Sequence, residues 1–199
     1  VVVQEGNQRA MTEMLREDQL DLMLCNLVNQ EGELEYEHLC WDPVIFLVQS
    51  AHPCCRYARY RDTFYHPWID LREFEQEIFI LQHQGQSLRQ YSDQLLEEAG
   101  LSPQRITQIR NIETAAQMAA NGLGVSFCLE SYFRHMMFIQ PPYRFSVGER
   151  QLAADFSAAY RRGRQLPEYT VQFIHLLKNL MEMEVGRMVE MDKSVNKNL

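Results

Sequence analysis

The stretch NIETAAQMAANGLGVSFCLE, from Asn111 to Glu130, contains the signals that decide the fold. Asn111 is a helix-capping residue, and the apolar residues after it recur at helical spacing: Ile112, Ala115, Ala116 and Ala119. Gly122 stands where the helix should end, because glycine adopts the left-handed conformation of that position without strain. The run Val125–Leu129 then predicts a buried strand. A helix that leads through a glycine turn into a buried strand is typical of α/β folds.

The flanking sequence repeats this alternation. Ile78–Leu81 predicts a strand, and the polar loop Gln82–Gln86 leads to a helix that we expect Ser87 to cap and Gly100 to end. Its apolar face consists of Leu88, Tyr91, Leu95 and Ala99. Further strands are predicted at Val1–Gln4, Leu20–Leu24, Leu34–Cys40, Val44–Val48, Arg105–Arg110, Tyr143–Val147 and Ala153–Tyr160.

Three more helices complete the pattern. One carries Ala10, Met11, Met14 and Leu15 on one face, and a short one is opened by Asp70 and Glu73. The longest starts at Pro167, with an apolar stripe formed by Tyr169, Phe173, Leu176, Leu177 and Leu180. Strands that alternate with such helices predict a parallel-type sheet, with ligands bound at the carboxyl ends of the strands.

Charge and hydropathy exclude several classes of protein. The formal net charge is −8, and the basic cluster of Arg161, Arg162 and Arg164 is too small to hold duplex DNA by itself. No run approaches the roughly 20 apolar residues of a membrane span, and the start lacks a signal-peptide pattern. We therefore expect a cytoplasmic location and no membrane contact.

The five cysteines are Cys25, Cys40, Cys54, Cys55 and Cys128. Their odd number and the absence of Cys-x-x-Cys spacing favour reduced thiols and predict no metal site. Two interpretations of the adjacent Cys54 and Cys55 stay open. They are ordinary thiols, which is favoured because only Arg56 nearby would lower a thiol pKa, or they are a redox sensor.

The sequence predicts no catalytic residues and no cofactor. Gly122 and Gly124 follow a helix and precede a strand, which reverses the order of a dinucleotide-binding motif. No Ser or Cys in a nucleophile-elbow context matches His83, and paired carboxylates such as Glu97 and Glu98 have the spacing of a solvated helix face. We therefore do not expect an enzyme.

Five segments, in order, resemble the effector-binding domain of LysR-type bacterial transcription regulators. LREDQLDLML (15–24) is similar to the family's "L..G.lDlai", VIFLVQSAHP (44–53) to a strand that leads into "HPL", and IDLREFEQEIFIL (69–81) to "dL....fI". NIETAAQMAANGLGVSFCLE resembles "n.et...lVa.GlGv.flPe", with Cys128 and Leu129 in place of Leu-Pro. AAYRRGRQLPEYTVQFIHLL (158–177) resembles the closing "vyrkgr.lsp....Fi..l".

The resemblance implies an α/β fold of two Rossmann-like lobes, as in type II periplasmic binding proteins, with an interlobe cleft. Lobe I would comprise residues 1–49 and 154–199, and lobe II residues 50–153. The family's winged helix-turn-helix, its linker helix and the first strand of lobe I have no counterpart in this sequence, so we expect that the chain is a fragment.

The resemblance also implies a function. We expect the domain to bind a small-molecule effector, to form a homodimer or homotetramer, and to contact DNA only through the missing N-terminal domain. The alternative is a solute-binding protein of a transporter, which shares the fold. The implied ligand contacts are Cys25, Asn26, Gln49, Ser50, Gln82, His83 and Gln84. An anionic effector is expected, because the last three precede the N-terminus of the Ser87 helix.

Overall fold

A computed structural model describes residues 1–195, and side chains as far as Met181. The helices are α1 (Gln8–Arg16), α2 (Ser87–Glu98), α3 (Ile112–Ala120), α4 (Glu130–His135) and α5 (Glu168–Val195). The strands are β1 (Met23–Leu27), β2 (Leu34–Val48), β3 (Ile78–Leu81), β4 (Arg105–Gln108), β5 (Val125–Leu129), β6 (Tyr143–Phe145) and β7 (Ala153–Arg161). Pro53–Tyr57 and Leu71–Phe74 are 3₁₀ helices. The predicted α/β class is confirmed.

The chain divides into two compact units. The first comprises Val1–Trp41 and the chain from Asp155 onward, and the second comprises Asp42–Ala154. The sequence prediction sets these divisions at Gln49–Ser50 and Ala153–Ala154. Pro43 does not interrupt β2, and Val48 is its last residue.

The first unit is built on antiparallel strands. β1 pairs with β7 in a register that places Met23 opposite Ala159 and Leu27 opposite Asp155. Leu15 of α1 packs among buried apolar residues of these strands and of β2, and Ile174 of α5 packs against Leu39 and Ala158. Burial of these apolar side chains is the main stabilising contribution in this unit.

In the second unit, β5 lies between β2 and β3. The last part of β2 runs antiparallel to β5, with Val44 opposite Leu129, whereas β3 runs parallel to both β5 and β4. Phe46 of β2 is fully buried, and its ring contacts the rings of Phe74, Phe79 and Phe127. On the other face, Ala116 and Ala119 of α3 cover Ile45, Leu47 and Cys128.

Several local predictions are confirmed. Ile78–Leu81 is a strand with the predicted bounds. The Asn111 side chain accepts a hydrogen bond from the Thr114 N–H and so caps α3. Gly100 and Gly122 have positive φ angles of 64° and 74°, as expected of residues that end helices.

Two strand predictions near the N-terminus are wrong. Val1–Gln4 is not a strand, and Val2 and Val3 are each 83% exposed, because no strand in residues 1–195 pairs with this run. The strand predicted at Leu20–Leu24 begins at Met23 and pairs antiparallel rather than parallel. It starts late because the backbone N–H groups of Gln19 and Leu20 both donate to the Met14 carbonyl and complete the end of α1.

Two helix predictions also need correction. Ser87 is the first residue of α2 and not its cap, since the capping position is occupied by Gln86, whose side chain makes no capping bond. In α5, the residues that face the core are Thr170 and Ile174, whereas Tyr169, Phe173, Leu176 and Leu180 of the predicted stripe are 45–69% exposed. Leu177 of the predicted stripe packs against the same cluster as Ile174, so the buried face overlaps the predicted stripe only at this residue. Met183 and Met188 lie outside the described side chains.

Candidate functional site

Cys25 and Asn26 lie in β1, opposite Ser157 and Phe156 of β7. The Oδ1 atom of Asn26 is buried and has no hydrogen-bond partner among the described residues. Burial raises the pKa of the Cys25 thiol to about 11, and the charge of Asp155 adds to this effect. Cys25 is therefore a neutral thiol at physiological pH, and Asn26 retains an unused acceptor.

A polar cluster that the sequence did not predict lies in the same unit. One carboxylate oxygen of Asp155 accepts a hydrogen bond from the Ser157 hydroxyl at 2.7 Å and lies 2.7 Å from Nδ1 of His38. The serine hydroxyl contacts the carboxylate, and not the imidazole that would have to take its proton, so this is not the arrangement of a nucleophilic triad. No local motif signals the cluster, because His38 and Asp155 are 117 residues apart in sequence.

In the second unit, Gln82 directly follows the last residue of β3. Its side chain is fully buried, and neither Oε1 nor Nε2 has a hydrogen-bond partner in the described part of the chain. A buried polar group without a partner costs roughly 1–3 kcal/mol. Each such group in a native fold calls for an explanation, and a bound water, ion or ligand is one of them.

The loop after Gln82 is fastened by its own polar groups. The backbone N–H of His83 donates to Oε1 of Gln86 at 3.1 Å, and Nε2 of Gln86 donates to the Arg110 carbonyl at 3.0 Å. His83 and Gln84 are exposed. The loop thus holds its backbone in place while presenting the side chains of His83 and Gln84 to solvent.

The first turn of α2 contains no acidic residue and receives no side-chain capping bond. Helix α3 differs, because Asn111 caps it and Glu113 lies in its first turn. Arg89, 7% exposed, donates from Nη1 to the Gln82 carbonyl at 3.0 Å, and its Nε pairs with Asp93 at 2.7 Å. The N-terminus of α2 therefore retains free backbone N–H groups that favour an anion.

The strand register separates Gln49 and Ser50 from Gln82–Gln84. Ser126 of β5 lies opposite both Leu47 of β2 and Ile80 of β3, and β2 runs in the reverse direction. Gln49 therefore lies beyond Leu47 toward one end of the sheet, and Gln82 lies beyond Ile80 toward the other end. At roughly 3.3 Å per residue, the two glutamines are about 13 Å apart along the strand direction. Gln49 packs instead against Gly122, where an added Cβ would lie 2.6 Å from its Oε1.

Glu130, the first residue of α4, is the centre of an ion cluster in the second unit. Its buried carboxylate accepts hydrogen bonds from Arg134 Nε at 3.1 Å and Arg144 Nη1 at 2.7 Å, and lies 2.9 Å from His66 Nε2. Burial raises the pKa of Glu130, but the hydrogen bond and charge of His66 and the charge of Arg144 outweigh this and lower it to about 2. Glu130 is therefore ionised.

Asp42 lies beside this cluster, at the start of the second unit. Its carboxylate accepts hydrogen bonds from the Ser131 hydroxyl and from the Ser131 backbone N–H, the latter at 3.0 Å. Burial raises the pKa of Asp42, and the bonds from Ser131 oppose that shift. The bonds between Asp42 and Ser131 and between His66 and Glu130 join α4 to segments that are 89 and 64 positions away in sequence.

The sequence matches the LysR substrate binding domain family over residues 1–182. The chain belongs to this family. The match favours the regulator over the solute-binding alternative. A 116-residue segment is 30% identical to the uncharacterized HTH-type transcriptional regulator YybE of Bacillus subtilis (strain 168), covering 58% of this chain and 37% of YybE. The matched segments of this chain span 36–37% of the length of the curated relatives.

Solved structures of LysR-type effector-binding domains share the fold. The BenM effector-binding domain with its effector benzoate has a TM-score of 0.72 at 16% identity, covering 92% of this chain and 78% of that domain. The regulatory domain of CcmR from Synechocystis PCC6803, in complex with 2-PG, has a TM-score of 0.71 at 18% identity, covering 87% of this chain and 79% of that domain. The type II periplasmic-binding-protein fold implied by the resemblance is confirmed.

In this LysR domain the adjacent cysteines have the properties of ordinary thiols. Burial raises the pKa of Cys55 to about 11 and also raises that of Cys54. Cys54 Sγ contacts the Glu73 carbonyl and Cys55 Sγ contacts the Gln49 carbonyl. Because the thiolate is the reactive form, the raised pKa values of Cys54 and Cys55 disfavour the redox-sensor interpretation.

The described residues contain no group of three His, Cys, Asp or Glu side chains placed to hold a metal ion. In the same part of the chain, no helix combines the length and the apolar character needed to cross a bilayer. A groove of about 480 Å³ lies beside α2 and includes Leu81, Arg89 and Ile106. Asp93 and Glu97 also line the groove and outnumber the charge of Arg89, so it is not suited to an anion.

Proposed function

We propose that this LysR domain senses a small anionic metabolite at the carboxyl end of β3, with Gln82, His83 and Gln84 as contacts. The observation that carries the proposal is the buried amide of Gln82, which has no partner for either polar atom among the described residues. It directly precedes the loop that leads to the uncapped helix α2. That the BenM and CcmR domains are known with small molecules bound supports the same class of ligand here.

The anionic character follows from α2. Free N–H groups at a helix N-terminus and the helix dipole stabilise a negative charge by about 0.3–1 kcal/mol at an exposed site, and by up to about 2 kcal/mol at a partly buried one. Neither a side-chain cap nor a first-turn carboxylate occupies this position in α2. An external carboxylate or phosphate is the group that would complete it.

Cys25 and Asn26 are also proposed as ligand contacts, and the unused Oδ1 of Asn26 supports the second of them. Gln49 and Ser50 are assigned no contact with the ligand that binds Gln82, since the register places them about 13 Å away along the strands. The proposed contacts of the second unit are thus Gln82, His83 and Gln84, and Cys25 with Asn26 is a separate proposal for the first unit.

The domain acts as a non-enzymatic, cytoplasmic switch. An effector changes the balance of two arrangements only if it binds them unequally, and a shift from 1:99 to 99:1 requires about 5.5 kcal/mol of differential binding. The proposed contact with DNA is made through a winged helix-turn-helix, a role suggested by the HTH-type regulators that the chain matches. The exposed stripe of α5, which includes Phe173 and Leu176, supports a homodimer or homotetramer, and sedimentation velocity measures that state directly.

Thermal-shift screening against small carboxylates and phosphates tests the ligand site. We expect anions to raise the melting temperature of the wild type. Gln84→Ala should weaken the shift, and Ser87→Asp should abolish it, because a fixed carboxylate in the first turn of α2 repels the ligand. Gln90→Ala is the matched control, since Gln90 is exposed on the same helix and its backbone N–H already donates to the Gln86 carbonyl.

Two results would contradict the proposal. In one, no anion stabilises the wild type at millimolar concentration. In the other, Ser87→Asp binds the same anions as tightly as Gln90→Ala does, which would place the anion away from α2.

A further inference from the structure

The side chain of Gln82 combines two kinds of unused hydrogen-bonding atom. Oε1 accepts hydrogen bonds and Nε2 donates two. Both are buried without partners, and the only other such side-chain atom in the described part of the chain is Oδ1 of Asn26. Gln82 thus requires a donor and an acceptor at once.

The polar groups of the chain around Gln82 are already engaged. Gln86 uses Oε1 for the His83 N–H and Nε2 for the Arg110 carbonyl. Arg89 directs Nη1 to the backbone carbonyl of Gln82 and Nε to Asp93. Neither of these side chains pairs with the amide of Gln82, and no other described residue does so.

An ionised carboxylate supplies only half of this requirement. Its oxygens accept from Nε2, but it has no proton to give to Oε1. A ligand with an acceptor alone would leave Oε1 buried and unpaired. A site with such a buried polar atom binds a ligand that pairs with it much more tightly than a related ligand that does not.

We propose that the effector is an anion with a hydrogen-bond donor next to its acidic group, that is, a hydroxy- or amino-carboxylate rather than a simple carboxylate. This inference rests on the proposed anion site. The donor of the ligand pairs with Oε1 of Gln82 and an acceptor pairs with Nε2, while the charge lies at the N-terminus of α2. Gln82 has no solvent exposure, so this inference requires the residues that cover it to move when the ligand enters.

The test compares matched ligands that differ by one hydroxyl group: malate with succinate, lactate with propionate, and mandelate with phenylacetate. Affinities come from calorimetry or thermal shift on the wild type, on Gln82→Met, which has similar volume and no polar hydrogen-bonding pair, and on Gln90→Met as the exposed control. We expect the hydroxylated member of at least one pair to bind the wild type and Gln90→Met at least tenfold more tightly, about 1.4 kcal/mol. In Gln82→Met this preference should fall to less than threefold.

The outcomes separate this inference from the function on which it rests. If both members of every pair bind equally, the anion site stands and the donor requirement is wrong. If Ser87→Asp leaves all affinities unchanged, the anion site itself is wrong. The unliganded proteins give an independent check: Gln82→Met should melt at or above the wild-type temperature because it removes two unpaired polar atoms. A markedly lower melting temperature would show that the amide is already satisfied in the fold, for example by water, and would overturn the inference.

Discussion

Replacement of Glu130 by Gln removes the charge on which His66, Arg134 and Arg144 converge. The pKa of Glu130 lies at about 2 in the fold, against an ordinary value of 4.5, and the carboxylate is 1% exposed. At 1.36 kcal/mol per pKa unit, the ionised form contributes about 3 kcal/mol to folding at neutral pH. Removal of one member of a buried ion cluster typically costs 3–5 kcal/mol, so Glu130→Gln should destabilise the domain by about 3–5 kcal/mol.

The pH dependence of this effect has a definite sign. The folded-state pKa of Glu130 is depressed, so its contribution is fully present above about 4.5 and is lost as pH falls through the folded value of about 2. The stability difference between wild type and Glu130→Gln should therefore narrow as the pH is lowered from about 5 toward about 2.

Urea denaturation followed by circular dichroism at several pH values measures both quantities. Glu75→Gln is the matched control, because Glu75 is exposed and should change the stability by less than about 0.5 kcal/mol. The reasoning is refuted if Glu130→Gln is as stable as Glu75→Gln at neutral pH, or if the difference from wild type stays constant down to the lowest pH at which the protein folds.

Two further predictions concern the core and the thiols. Phe46→Ala should lower the free energy of unfolding by about 3–5 kcal/mol, because Phe46 is fully buried against three other phenylalanine rings. A loss below about 1 kcal/mol in urea denaturation would contradict that packing. Cys55 should react with iodoacetamide at pH 7.5 at less than about a tenth of the rate of a free cysteine, because burial raises its pKa to about 11. Peptide mapping assigns the rate to Cys55, and a rate equal to that of free cysteine would support the redox-sensor interpretation instead.

The features that the sequence predicted well are those with local causes. The Asn111 cap, the turn at Gly122 and the strand Val125–Leu129 each depend on residues within one turn or one strand of each other. Capping propensity, left-handed glycine conformations and continuous burial act at that range. The same reasoning placed β3 between Ile78 and Leu81 without error.

The features that the sequence did not predict depend on contacts between distant segments. Val1–Gln4 has the composition of a strand but no strand to pair with in residues 1–195. The separation of Gln49 from Gln82 follows from the register of β2 and β3 on Ser126 of β5, which no local pattern encodes. The Glu130 cluster likewise joins Glu130 to His66, which is 64 positions away in sequence.

Asn26 and Gln82 are singled out both by the sequence resemblance and by the structure. The resemblance to LysR-type domains selected them by position, without reference to hydrogen bonding. In the described part of the chain they are also the residues with buried side-chain N or O atoms that lack a partner. A protein tolerates such atoms at a cost of roughly 1–3 kcal/mol each, and selection for stability alone would replace them with apolar residues of similar volume. Both residues occupy positions that were chosen by an independent criterion, and this is the reason to seek the ligand there. A Gln82→Met variant that is more stable than the wild type but no longer prefers hydroxylated ligands would measure the trade-off between stability and binding.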